Sequence, residues 1–329
     1  MPIREALIMV HGVQPSPDPQ PHTDDYNDLY NGISKHLPAD SPWKTAPIIR
    51  VEWGEKHPGH DGPERNHHRL SAAQRYYGQA TLDTLRDTDR FSINPARYVI
   101  DGLRELVMLG FGDMFYYVSQ DGKASLRTEL VHQVIDSLIQ RDGIPDDEAW
   151  SITFVGHSAG SVICADFLFL LFYDHNRIDK FLGDHEDLSP AEYDDFKNKL
   201  QTLRDMAEQG RLRVRRLITL GSPFSLVLPR NRKLVERLAS KQPLDPAHYG
   251  LAQSKADQAS SPFEASPLTG PRWINIWDRD DPIAYPIAQL FDAPETVTDL
   301  YINVSNSVKN AHGAYWDNDD VHQQLAERW

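Results

Sequence analysis

Cysteine is almost missing from this 329-residue chain: Cys164 stands alone, so no internal disulfide can form and burial of apolar surface must hold the fold. A single thiol also suits a reducing compartment. Basic residues are scarce relative to acidic ones, 34 against 48, giving a net charge of −14. That balance excludes a general nucleic-acid binder, because phosphate contacts need clustered Lys and Arg, and it disfavours electrostatic docking on anionic lipid. No apolar run is long enough to span a membrane. The N-terminal run Ala6 to Val10 is also too short for a signal peptide and lacks a cleavage site, so a buried strand is expected there. No internal repeat is visible. A soluble, cytoplasmic protein is the expectation.

What is present is globular: 40% apolar and 10% aromatic residues, enough for one large domain with a buried core. Apolar runs at Ala6 to Val10, Ile48 to Trp53, Ser151 to Val155, Val214 to Leu220, Trp273 to Trp277 and Asp299 to Val304 are flanked by turn residues and do not alternate with polar ones. Strands of that kind belong to a parallel sheet covered on both faces. Helical spacing appears in Leu126 to Gln140, and a Ser-Pro pair opens a further helix over Ser189 to Gln209. Strands alternating with helices predict an open, doubly wound α/β sheet within a single domain, 1–329.

Some segments fit this plan poorly. Gln14 to Asp25 is a Pro- and Asp-rich loop, and the region 54–125 is larger than one helix-strand step requires. Within it lie a His-rich loop, His57 to His68, and Tyr98 to Val118, a stretch apolar nearly all round. The latter is expected to be a core helix, or a lid or acyl-chain wall over a site. A second irregular excursion, 241–271, is rich in Pro, Ser and Ala and reads as a surface loop or flap.

The motif Gly156-His157-Ser158-Ala159-Gly160 carries the chemistry. Gly-x-Ser-x-Gly alone is short enough to arise by chance, but here it follows the buried strand 151–155 and opens the apolar segment from Ser161. A strand-to-helix turn presents such a serine in a strained conformation, and the flanking glycines let strand and helix approach. A serine hydroxyl needs a histidine base, itself oriented by a carboxylate. In chain order serine, acid, histidine, the downstream candidates are His175, His185, His248, His312 and His322. His312 follows the last predicted strand and is preferred, whereas His322 is placed exposed on the terminal helix. The acid lies in Asp278-Arg279-Asp280-Asp281, at the end of a late strand, where spacing leaves Asp278, Asp280 and Asp281 open and predicts a solvated acidic turn for at least two of them. Oxyanion donors are expected from the N–H of Ala159 and from the loop after the first strand, at Val13 with Gln14 as the alternative.

Taken together, Leu7-Ile8-Met9-Val10-His11-Gly12, Val155 to Gly160, Thr219-Leu220-Gly221-Ser222-Pro223, Asp280 to Ala284 and Ala311-His312 resemble the lipase/esterase branch of the α/β-hydrolase superfamily. That resemblance implies an α/β-hydrolase fold without the two N-terminal antiparallel strands, an acid at Asp281 before its Pro-Ile-Ala segment, and carboxylic-ester hydrolysis with no cofactor. An acyltransferase, thioesterase or amidase would use the same triad, and a non-catalytic binding or scaffold protein could keep the fold. Other signals are set aside. The histidines of 57–68 match no established metal-ligand spacing, Cys164 reads as a small core residue, and Arg211, Arg213, Arg215 and Arg216 read as a solvated strand edge. His11 is expected to fix its loop by hydrogen bonding. The expected partner is a small-molecule or lipid ester.

Overall fold

The computed structural model describes residues 3–12, 23–51, 53, 80, 133–134, 137, 148–173, 189–228, 232–252, 263 and 268–329. Six strands form one all-parallel open sheet: β1 Ile3–Val10, β2 Ile48–Val51, β3 Ala149–His157, β4 Leu212–Leu220, β5 Trp273–Trp277 and β6 Val297–Tyr301, in the order β2-β1-β3-β4-β5-β6. Chain order reverses between β1 and β3. A crevice opens outside the carboxyl ends of strands at such a point, which is where ligands bind in open α/β sheets.

Both faces of the sheet are covered, as the uninterrupted apolar strands require. Along β1, Ala6, Ile8 and Val10 pack with helix α2 (Ala159–Phe172) and helix α3 (Pro190–Glu208). The intervening Leu7 and Met9 pack on the other side against helix α1 (Thr23–His36) and the C-terminal helix, whose core residues include Tyr26, Leu29, Val321 and Leu325. Helix α2 has no polar face: it lies between the central strand β3 and α3, with Phe167 and Leu168 fully enclosed. Shorter helices follow: α4 Phe224–Val227, α5 Arg232–Ala239, α6 Val308–Ala311 and α7 Asp319–Glu327. None of the helices among the described residues is long and apolar enough to cross a membrane.

The strand predictions locate all six strands, and the differences at their ends have local causes. The second strand stops at Val51 because Trp53 turns back on the chain: its backbone and indole N–H groups both donate to His11. The last strand stops at Tyr301, short of Val304, because the N–H groups of Val304 and Ser305 donate to the Asp278 carboxylate and lead the chain off the sheet. The predicted loop Gln14 to Asp25 ends earlier than expected, since α1 already begins at Thr23 with Asp24 and Asp25 in its first turn, where the helix dipole favours anions.

Two readings of surface character are corrected. Arg213 and Arg216 are buried. Arg213 lies over the Phe263 ring and donates to Ser151, while Arg215 and Arg216 stack on Trp329. Arg216 also donates to the carbonyls of Thr269 and Arg328. Aromatic faces and backbone oxygens, not solvent, receive these cations. The described part of the 241–271 excursion is not all surface either: Leu244, Tyr249 and Leu251 enter the core, with Tyr249 edge-on to Trp273. Phe263, also in this span, is buried as well. The other sequence assignments, for the 54–125 region, for Tyr98 to Val118 and for the His57 to His68 loop, fall outside the described residues apart from Ala80. Of the Leu126 to Gln140 helix, residues 133, 134 and 137 are helical.

Candidate active site

The Ser158 position is built by hydrogen bonds to the neighbouring strand and helix and by two close backbone approaches. Ser158 sits between the last residue of β3 and the first of α2 with φ 53° and ψ −127°, one of only two non-glycine residues with positive φ among those described. A conformation of this kind costs about 1–3 kcal/mol and persists only where surroundings fix it. Here the Ser158 N–H donates to the Leu220 carbonyl of β4, and its own carbonyl accepts from both the N–H and the hydroxyl of Ser161. Because the Ser161 hydroxyl is committed to that carbonyl, Ser222 must be the donor in the 2.7 Å Ser161–Ser222 contact, and the Ser222 oxygen accepts the Phe224 N–H in turn. A one-directional chain of hydrogen bonds thus runs from α4 to the strained turn. Glycine is required on two sides: a Cβ on Gly160 would lie 2.2 Å from the Val10 carbonyl oxygen, and one on Gly12 would lie 2.6 Å from Ser158 Cβ.

Three of the predicted residues meet in hydrogen-bonding sequence. His312 Nε2 lies 2.8 Å from Ser158 Oγ, and His312 Nδ1 lies 2.9 Å from Asp281 Oδ2. A carboxylate can only accept, so Nδ1 carries the proton and Nε2 faces the serine as an acceptor. Asp281 also accepts the N–H of Ile283 and the hydroxyl of Tyr315. Burial alone would raise its pKa, but the His312 hydrogen bond and charge, with those two further donors, outweigh that and hold the carboxyl below its ordinary value. The Tyr315 hydroxyl is pushed far above the ordinary phenol value by burial and by the neighbouring Asp281 charge, and remains a donor.

The other acids in the turn do different things. Asp278 is fully buried rather than solvated, because its carboxylate accepts the N–H groups of Asp280, Val304 and Ser305. It joins the turn after β5 to the segment that leads into α6 and His312. Asp280 is partly exposed and touches neither His312 nor Ser158 in the hydrogen bonds of the site. His322 is not exposed as expected: its ring is buried against Gly32 of α1, and Nε2 bonds the Trp316 carbonyl. His11 stacks on Trp53 with ring centroids 5.4 Å apart.

The N–H of Ala159, at the first position of α2, has no acceptor within its own helix and lies at the positive end of the helix dipole. Val13 and Gln14 lie outside the described residues; Gly12, just after β1, lies beside Ser158. Sequence reasoning overlooked Tyr315, His157, Ser161 and Ser222. Tyr315 follows His312 by three residues in a segment already singled out, and Ser222 lies in the Leu-Gly-Ser-Pro run, so both stood within quoted motifs without a role.

This chain is an α/β protein with an open parallel sheet and a Ser-His-Asp constellation at the point where strand order reverses. No family model matches it, and no curated protein does either.

Proposed function

We propose that this chain is a serine hydrolase of the α/β-hydrolase type that cleaves carboxylic esters through an acyl-enzyme at Ser158. One observation carries the reading: an unbroken Asp281–His312–Ser158 hydrogen-bond sequence ends on a serine held at positive φ between strand and helix. A packed core gives no reason to strain a backbone so that one hydroxyl faces one imidazole. The position of the serine after the strand next to β1, at the reversal of strand order, adds support.

In this reading His312 Nε2 takes the Ser158 hydroxyl proton as Oγ bonds to the ester carbonyl carbon. The charge that develops on the carbonyl oxygen is met by the N–H of Ala159 and by a second donor from the loop after Gly12, at Val13. Collapse breaks the bond to the leaving alkoxide, which receives the proton from His312. Water then loses a proton to His312, attacks the acyl carbon and releases the acid, returning the proton to Ser158. Asp281 stays ionised throughout. It fixes the tautomer and stabilises the imidazolium, the role for which its lowered pKa suits it.

A fluorophosphonate probe tests this directly. Wild-type protein is expected to be labelled and to hydrolyse simple aryl esters, and Ser158→Ala to do neither while keeping its melting temperature. Folded wild-type protein that resists the probe and hydrolyses no aryl ester of any acyl length would overturn the reading.

A further inference from the structure

His157 is the variable residue of the Gly-x-Ser-x-Gly motif, and serine-hydrolase chemistry assigns it nothing. Yet it lies directly against the base. Its Nε2 lies 2.6 Å from the backbone carbonyl oxygen of His312, and the two imidazole rings are 4.8 Å apart at 34°. Tyr315 and Trp316 complete the enclosure, with ring centroids 5.9 and 5.4 Å from His157. Only 8% of the residue is exposed.

We propose that His157 is a positioning residue: an imidazole on the end of β3 that clamps the backbone of His312 and so holds the base over Ser158. This rests on the serine-hydrolase reading of the site. His312 sits at the C-cap of the four-residue helix α6, in a short irregular segment with little regular structure to fix it. Asp281 holds the ring from one end; a hydrogen bond at the carbonyl fixes the other end of the same residue. Asp281 opposes rotation of the ring and His157 opposes a shift of the backbone, so either movement of Nε2 away from Ser158 breaks a hydrogen bond. The bond also defines the tautomer of His157: a carbonyl can only accept, so Nε2 bears the proton and Nδ1, which faces Gly12, does not.

Neutrality is part of the device. In acyl transfer His312 becomes cationic, and a second cation 4.8 Å from its ring would oppose that step. The groups that act on His157 are His312, Asp281 and Asp25, and the hydrogen bond to the His312 carbonyl and the two acids favour its charged form. Burial, followed by the neighbouring His312, outweighs them and lowers the His157 pKa to about 3. The imidazole is thus kept as a hydrogen-bond donor of fixed direction and zero charge.

Three measurements separate the possibilities. His157→Phe keeps a ring of similar size and loses the donor; His157→Gln places an amide N–H near the Nε2 position. The first should lower kcat for an aryl ester at least tenfold with KM changed less than twofold, and the second should restore kcat to within about threefold of wild type. Equal kcat in wild type and His157→Phe, or an equal fall in both variants, overturns the proposal. Nitrogen-15 NMR of wild-type protein adds a readout that needs neither turnover nor a variant that folds: His157 should show a protonated Nε2, an unprotonated Nδ1 and no titration between pH 8 and pH 5. Titration in that range, or a proton on Nδ1, overturns it. Should the fluorophosphonate probe fail on wild-type protein, the hydrolase reading falls and the positioning role falls with it, whereas loss confined to His157→Phe in a labelled enzyme speaks to the clamp alone.

Discussion

At the carboxyl edge of the sheet, ionisable groups are arranged in a relay: Asp281 holds His312, His312 faces Ser158, and each polar group meets a directed partner. Toward the opposite edge, from the second residue of β4 to its middle, Arg213, Arg215 and Arg216 gather near Arg272, with Glu5 bonded to Arg215. Their charges are spread over aromatic faces and backbone carbonyls, and Nε and Nη1 of Arg216 have no hydrogen-bond partner among the described residues. One edge uses burial to aim charge; the other only houses it. If that contrast holds, changes at the first edge should act on turnover and changes at the second on stability.

The largest separation is expected within the acidic turn. Asp281→Asn keeps shape but lets the amide donate to His312, which reverses the tautomer, and should lower kcat by about 10⁴-fold. Asp278→Asn removes an acceptor for the Val304 and Ser305 N–H groups and should act on folding: about 1–3 kcal/mol less stable by urea unfolding, with kcat within about tenfold of wild type. Steady-state kinetics with an aryl ester and urea titration of both variants decide the point. A larger kcat loss in Asp278→Asn would reassign the acid.

A second test uses pH. His157 has a folded pKa of about 3 against an ordinary value of 6.5, so between those values the unfolded chain binds the proton and the folded chain does not. The sign follows: this contribution to stability is complete above about pH 6.5 and is lost as pH falls toward about 3, at a slope of up to about 1.4 kcal/mol per pH unit. Asp281 acts in the same direction at lower pH, because its folded pKa is also depressed and its contribution fades as it protonates. Urea unfolding at about pH 7 and about pH 5 should show a smaller loss in His157→Gln than in wild type, by about 2 kcal/mol. Parallel curves would mean that folded His157 takes up the proton.

How far the sequence could be read depends on what kind of information each feature needs. The strands were legible because β1, β3 and the second half of β4 carry short, largely apolar runs, the pattern of parallel strands buried on both faces. The serine was legible because motif, strand and helix coincide within a few residues. Asp281 could not be separated from Asp278 and Asp280 by spacing, since the choice depends on which carboxylate the His312 loop meets after folding, and Asp278 spends its oxygens on that same loop's backbone. The arginines of β4 were misread for a related reason: charge suggests solvent, and only the folded chain shows Phe263 and Trp329 arriving over them. His157 was invisible because its partner is a backbone carbonyl 155 residues away, and backbone atoms leave no sequence signal.

The smallest expected effect is at the second edge and is the most discriminating for its size. Arg216 is buried, its pKa is lowered to about 10 by burial and by three neighbouring arginines, and two of its nitrogens are unpartnered among the described residues. Desolvation of such a cation is only partly offset by its bonds to the Thr269 and Arg328 carbonyls and its stack on Trp329. Methionine has a similar length, leaves the stem's packing in place and removes the charge. Arg216→Met should therefore change stability by less than about 1 kcal/mol, in either direction, and relieve repulsion on Arg215 and Arg272. Ester turnover should not change, because Arg216 lies at the middle of β4, four residues before its end, and the relay lies past that end. A loss of 3 kcal/mol or more would mean the arginine is held by bonds stronger than its desolvation cost. A loss of kcat with stability intact would show that the two edges of the sheet are coupled through β4, and the division between aiming charge and housing it would no longer stand.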